Sequence, residues 1–154
     1  MATQVAVIST PVGQTTAASS MPVVLASDQG TIPVASSPSA AVGSSSLHSA
    51  VSAATTNATS VKAGAGVIGA LVVCNNATTK RFFKLYNKAS APTVGTDTPV
   101  MVLMLAPGET HQVSCGPYGI RLDTGIAYAM VQGIANSDAT AVALNDMSVF
   151  LAYT

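Results

Sequence analysis

The sequence predicts an all-β protein, a single jelly-roll-like antiparallel β-sandwich with a long extended N-terminal arm. Short apolar segments separated by turn signals follow one another from Leu47 to the C-terminus, which is typical of a sandwich or barrel. No long segment keeps a helical period. The preceding residues are rich in Ser, Thr, Ala and Pro. The chain therefore divides into an arm, residues 1–46, and a sandwich domain, residues 47–154.

The composition predicts a protein covered by other chains. Charged residues make up only 8% of the 154 residues, hydrophobic residues 49%, mean hydropathy is +0.48 and the formal net charge is zero. A soluble monomer usually carries about 25% charged residues, and a neutral, apolar surface promotes association. The longest apolar runs, VIGALVVC and VMVLMLA, are too short to span a bilayer, and the N-terminus lacks the pattern of a signal peptide. We therefore expect a cytoplasmically assembled oligomer without a membrane segment.

The arm carries Pro-Val pairs at a spacing of 11 residues. Proline favours extended backbone and avoids central strands, so 46 extended residues can reach up to about 150 Å at ~3.3 Å each. One interpretation is an arm that lies along neighbouring subunits; the other is a proline-punctuated linker whose spacing is accidental. On the first interpretation, the contact residues are Pro11, Val12, Pro22, Val23, Val24, Leu25, Ile32, Pro33 and Val34.

Nine strands are predicted in the sandwich, each bounded by Gly, Pro, Asn or Asp. They are LHSAVSA, TSVKA, VIGALVVC, KRFFKLYNK, PVMVLML, ETHQVSC, GIRL, IAYAMVQG and DMSVFLAY. The last strand is apolar on both faces, which predicts a central position or a cover from another subunit. The predicted core-strand residues are Phe83, Leu85, Val102, Leu103, Val149 and Leu151.

Four of the six basic residues fall between Lys80 and Lys88. Lys80, Lys84 and Lys88 all occupy even-numbered positions of one predicted strand and so point to the same side. We expect them to form its solvated face. With so few basic residues, phosphate binding by counterion release has little support. Nucleic acid is therefore not expected as a partner.

The glycines Gly64, Gly66 and Gly69 spell G-x-G-x-x-G, the pattern of a dinucleotide-binding turn. That site needs a buried strand before the glycines, a helix after them and an acidic residue about 20 positions on. Here a polar segment precedes them, a predicted strand follows, and the next acidic residue is the distant Asp97. We expect a flexible turn at Gly64 and Gly66, a bulge or a close backbone approach at Gly69, and no cofactor.

No catalytic or metal-binding residues are expected. All six acidic residues lie in or beside predicted turns, where carboxylates cap the local backbone. Ser114, His111 and Asp97 lack the G-x-S-x-G context of a catalytic triad. Cys74 and Cys115 each end a predicted strand and could face one core; free thiols are favoured, with a cross-strand disulfide as the alternative. The aromatic residues lie mostly in strands, so a sugar-binding platform is a minor alternative and no small-molecule substrate is expected.

Three segments resemble known proteins. RFFKLYNKASAPTVGTDTPVMVLMLAPGE and YGIRLDTGIAYAMVQGIANSDATAV, followed by an apolar strand, resemble a domain of tailed-bacteriophage virion proteins, and SSMPVVLASDQGTIPV resembles a motif of phage virion and tail-fibre proteins. The resemblance covers about half of the sandwich and part of the arm. It implies a non-enzymatic virion structural protein and assigns no catalytic residues.

Two roles are compatible with this resemblance. The first is a capsid decoration, or cement, protein on the outer shell, a homotrimer whose arm contacts the major capsid protein and its own copies. The second is a tail or head fibre or an adaptor that displays the sandwich for host or virion attachment. Either would place the protein in the virion after assembly in the host cytoplasm.

Overall fold

The computed structural model describes residues 46–154, which form nine strands without a helix in that range. All nine predicted strands are confirmed. The arm residues predicted to make contacts, Pro11 to Val34, lie outside the described residues. The strands are β1 (Ser46–Val51), β2 (Thr59–Lys62), β3 (Gly66–Asn75), β4 (Arg81–Asn87), β5 (Met101–Leu105), β6 (Thr110–Val113), β7 (Ile120–Leu122), β8 (Ile126–Val131) and β9 (Met147–Tyr153).

The strands form two antiparallel sheets with the strand order of a jelly roll. Sheet I has the order β1-β9-β3-β6, with β7 also pairing with β3, and sheet II has the order β2-β8-β4-β5. The first strand pairs with the last, the second with β8, the third with β6 and β7, and β4 with β5. This nested pairing is a long hairpin rolled into two sheets, so the predicted jelly-roll sandwich is confirmed.

The core lies between the two sheets and contains alternate residues of the long strands. Met147, Val149 and Leu151 of β9 point inward and are at most 2% exposed. From sheet II, the ring of Phe83 stacks on Tyr128 with 5.4 Å between centroids. Burying one large aliphatic or aromatic side chain contributes about 1.5–3 kcal/mol, so this layer is the main source of stability. β9 is central in sheet I, between β1 and β3, but Phe150 on its outer face is 39% exposed, so residues 46–154 bury only its inner face fully.

Five of the six predicted core-strand residues contact this core. Phe83, Leu85, Val149 and Leu151 belong to the buried cluster, and Leu103 packs against it at partial exposure. Val102 is half-buried and lies outside the cluster. It pairs with Lys84 on the opposite face of sheet II, because successive residues of a strand point to opposite faces.

A strand follows Gly64, as predicted, and no helix follows the glycines. Gly66, expected in the turn, is instead the first residue of β3. The pairing of β3 with β9 shifts between Ile68 and Ala70, so the expected bulge at Gly69 is confirmed. Gly66 starts β3 where a Cβ atom would lie 2.8 Å from the carbonyl oxygen of Thr154. Close backbone approach therefore accounts for this glycine, and the dinucleotide-binding interpretation has no support in the fold.

The outer face of sheet II is covered by the chain itself over β4 and β8, which the sequence did not predict. Lys84, Tyr86 and Ala129 on this face are at most 1% exposed. Residues 132–141 cross one part of the face, and Val94 packs on the cluster around Tyr86. The prediction that Lys84 is solvated is therefore wrong. Its ammonium donates hydrogen bonds to the carbonyl oxygens of Ala135 at 2.7 Å and Asp138 at 2.9 Å.

Candidate interaction surface

Three acidic residues accept backbone hydrogen bonds within turns. Asp97 accepts a hydrogen bond from the backbone N–H of Thr93, Glu109 from that of Ala106, and Asp146 from that of Ala143. The prediction that these carboxylates cap turns is confirmed. Within residues 46–154 no group of three or more His, Cys, Asp or Glu side chains is placed to hold a metal ion. No helix in that part of the chain is long and apolar enough to cross a membrane.

Ser114, His111 and Asp97 do not form a catalytic triad. His111 lies 3.4 Å from Glu109, through Nδ1 and Oε1, and Asp97 forms an ion pair with Lys88. The second histidine, His48, shares a 3.0 Å hydrogen bond between its Nε2 and the Tyr128 hydroxyl. Burial lowers the pKa of the His48 imidazole, which favours its neutral form.

The two cysteines are free thiols on different faces of sheet I. Cys115 packs against the core, and burial raises the pKa of its thiol. Cys74 belongs to the outward set of β3, between the inward-facing Val73 and Asn75, and accepts a 3.4 Å hydrogen bond from the Thr110 hydroxyl. The expectation that both could face one core is therefore wrong.

The outer face of sheet I is exposed, and its part on β1, β9, β3 and β6 carries no charge; Arg121, on the same side, belongs to β7 at the edge. Its central residues come from four adjacent strands, and pairing places them in cross-strand rows. We call this set the open face: Leu47, Ser49, Val51, Ala70, Val72, Cys74, Thr110, Gln112, Ser148, Phe150 and Ala152. An uncharged face loses no ionic hydration when another surface covers it, which favours docking over solvent exposure.

Three large apolar side chains project from the open face. Leu47 is 67% exposed, Val51 59% and Phe150 39%. Phe150 pairs with Ser49 on one side and Val72 on the other, so it stands in the middle of the face. The sequence indicated an apolar outer surface because β9 has apolar residues on both of its faces. It did not identify Leu47 or Val51 as outward residues.

A second exposed feature lies between β6 and β7. Residues 114–119 connect the two strands, and Tyr118 at 83% exposure presents nearly its whole ring. Apart from Tyr118 and Phe150, the aromatic residues of the described range are buried or partly buried. A stacking platform of several exposed rings is therefore not formed within residues 46–154.

Comparisons with known proteins give one structural likeness. No family model matches the chain, and no curated protein matches it. Among solved structures, the chain is similar to the coat protein of Tobacco streak virus, with 12% sequence identity and a TM-score of 0.30. The likeness covers 71% of this chain and 84% of the coat protein chain.

Proposed function

We propose that the chain is a non-enzymatic structural protein of a tailed-phage virion, a decoration (cement) protein of the capsid. In this proposal it binds the outer shell as a homotrimer after assembly in the host cytoplasm. The open face and the arm contact the major capsid protein and neighbouring copies. Capsid stabilisation is mechanical, because it comes from apolar burial and backbone pairing repeated over a lattice.

The observation that carries the proposal is the difference between the outer faces of the two sheets. The chain covers the β4 and β8 part of the outer face of sheet II with its own loops, although Met104 of the edge strand β5 is 57% exposed. It leaves the open face of sheet I uncharged, with Leu47 and Phe150 exposed. Jelly rolls serve in viral capsids and in lectins, and fold alone does not choose between them. A face without charges or a cluster of exposed rings favours protein contacts over sugar binding.

The size of the open face explains why an arm would be needed. Four strands at ~4.8 Å and about six residues at ~3.4 Å give an area of roughly 400 Å². A stable interface buries about 800 Å² on each partner. The open face alone therefore provides about half of the required area, and the arm, residues 1–46, would supply the rest.

The test uses virions that lack the protein, to which either the full chain or residues 47–154 are added. We expect the full chain to bind and to raise the temperature at which the genome is released, and the truncated chain to do neither. Circular dichroism of the truncated chain controls for folding. Equal binding and protection by both chains would overturn the proposed role of the arm.

Tyr118 favours a second candidate function, a fibre or adaptor protein. Its exposed ring on the link between β6 and β7 would suit attachment to a host surface. Copy number by quantitative mass spectrometry separates the candidates: a decoration protein approaches the copy number of the major capsid protein, and a fibre is far rarer. For a fibre, saturable binding to host cells should be lost in Tyr118→Ala and kept in Tyr118→Phe, which retains the ring.

A further inference from the structure

We propose that the open face is the docking site for residues 21–25 of the arm of a second copy. This inference rests on the proposed function only in taking the arm as an intermolecular contact. It names the occupant of the face, Met21 to Leu25, and the partner, another copy of this chain.

The chemistry of the two surfaces matches. Residues 1–45 contain a single charged residue, Asp28, and carry two strongly apolar runs, VAVI at 5–8 and MPVVL at 21–25; the second is the longer and the nearer to β1. The open face has no charge and exposes Leu47, Val51 and Phe150. Their association would bury apolar surface without separating any ion from water, which is the favourable case for docking.

The dimensions also match. Five extended residues span about 17 Å at ~3.3 Å each, and four strands of sheet I span about 19 Å at ~4.8 Å. Residues 26–45 link this run to β1 and, fully extended, reach up to about 66 Å. A domain of about 100 residues is about 26 Å across, taken as twice its radius of gyration, so the link is longer than one domain. The arm is therefore long enough to contact a neighbouring copy, and the predicted cover of this apolar chain by other chains favours docking between copies.

Cys74 provides a natural probe, because its thiol lies on the open face beside Thr110. Cys115 packs on the core side and is replaced by Ala in every chain used. One chain carries Leu25→Cys and Cys74→Ala, and a second chain with a different tag keeps Cys74. The two are co-expressed and treated with a short bismaleimide. We expect a cross-linked heterodimer whose joined peptides contain positions 25 and 74.

Matched controls show whether the contact is specific. Thr16→Cys, in a polar part of the arm, replaces Leu25→Cys and should give little heterodimer. Phe150→Asp on the acceptor chain should abolish the cross-link, because it places a charge in the middle of the face, and Phe150→Leu should preserve it. Circular dichroism of each variant shows that the fold is retained.

Three outcomes would overturn the inference. When one chain carries both Leu25→Cys and Cys74, a cross-link confined to that chain would show that each arm covers its own face. Cross-links between two Cys74 residues would show that two open faces pair directly. Absence of all three cross-links in a chain that still binds and protects virions would leave the decoration role standing and assign the face to the capsid protein.

Discussion

Lys84 shows what a local pattern cannot reveal. Alternation in β4 correctly separated the face of Phe83 and Leu85 from the face of Lys84 and Tyr86, but it could not show that residues 132–141 cover the second face. The covering residues Ala135 and Asp138 follow about 50 positions later in the chain. Burial lowers the pKa of the Lys84 ammonium, and the negative charge of Asp138 opposes this effect.

Replacing Lys84 with Met tests the role of its two hydrogen bonds. The Met side chain fills similar space but removes both hydrogen bonds that the ammonium donates. The Ala135 carbonyl oxygen still accepts from the backbone N–H of Asp138, whereas the Asp138 carbonyl oxygen loses the Lys84 donor. We expect the free energy of unfolding to fall by about 1–3 kcal/mol in urea denaturation. Lys80→Met, at an exposed position, is the control and should change it by less than about 0.5 kcal/mol. Equal stability of both variants would contradict the prediction.

Asp146 should make stability depend on pH in the acid range. Burial alone raises the pKa of this carboxyl, but the Ala143 N–H and the Arg81 guanidinium, 2.7 Å away, lower it below its usual value. A carboxyl with a lowered folded-state pKa stabilises the fold above its unfolded pKa of about 3.9, and this contribution is lost as pH falls through the folded pKa. Asp146→Asn should therefore cost about 1–2 kcal/mol near pH 7 and progressively less below about pH 4.

The control for this pH dependence is Asp123→Asn. Asp123 and Arg121 form an ion pair in which both side chains are more than 70% exposed, so removing its charge should change stability little at any pH. Chemical denaturation at several pH values measures both variants. A cost of Asp146→Asn that stays constant down to about pH 2 would contradict the assignment.

At the scale of elements, the positions of the strands could be predicted from the sequence, but the orientation of the side chains of β1 could not. The boundaries of β4, β8 and β9 follow from apolar runs ended by turn residues. In β1, however, the larger apolar residues Leu47 and Val51 point outward, and His48 points inward to the Tyr128 hydroxyl. Hydrophobicity alone would predict the opposite orientation for this strand, because it cannot show whether an apolar side chain faces the core or the outer face of the sheet.

The link between β6 and β7 depends on a glycine that passes close to β3. Gly119 has a φ of +70°, and a Cβ atom there would lie 2.4 Å from Val67 Cγ1 and 2.7 Å from the carbonyl oxygen of Ile68. Gly116 has a similar φ of +63° with open space around it. Gly116→Ala should cost about 1–2 kcal/mol from backbone strain alone, whereas Gly119→Ala should cost clearly more because it also requires β3 to shift.

Thermal or urea unfolding of the two alanine variants measures this difference. Because the backbone conformations are similar, the excess cost at Gly119 isolates the effect of close packing between the link and β3. Similar losses of stability in both variants would show that the link moves away from β3 at little cost.

At the scale of the whole molecule, the low charge content leaves few charged groups that could form contacts with another chain. Sheet II buries the outer residues of β4 and β8 under loops, and the ion pairs of Arg81 and Lys88, at the two ends of β4, are made with turns of the same chain. The open face of sheet I is uncharged, and the arm adds only Asp28. Intermolecular contacts made through these surfaces would be apolar, and electrostatic attraction would contribute little to them.

The full-length protein should therefore form oligomers whose stability does not fall with salt. Light scattering at a fixed protein concentration should give the same molar mass in ~0.1 M and ~1 M NaCl, although the screening length falls from about 10 Å to about 3 Å. Sodium sulfate should shift the equilibrium further toward the oligomer, because it strengthens apolar burial. Phe150→Asp should lower the molar mass in every salt, whereas Lys80→Met should leave it unchanged. Dissociation to monomers in ~1 M NaCl would show that charged groups hold the copies together and would contradict an apolar interface.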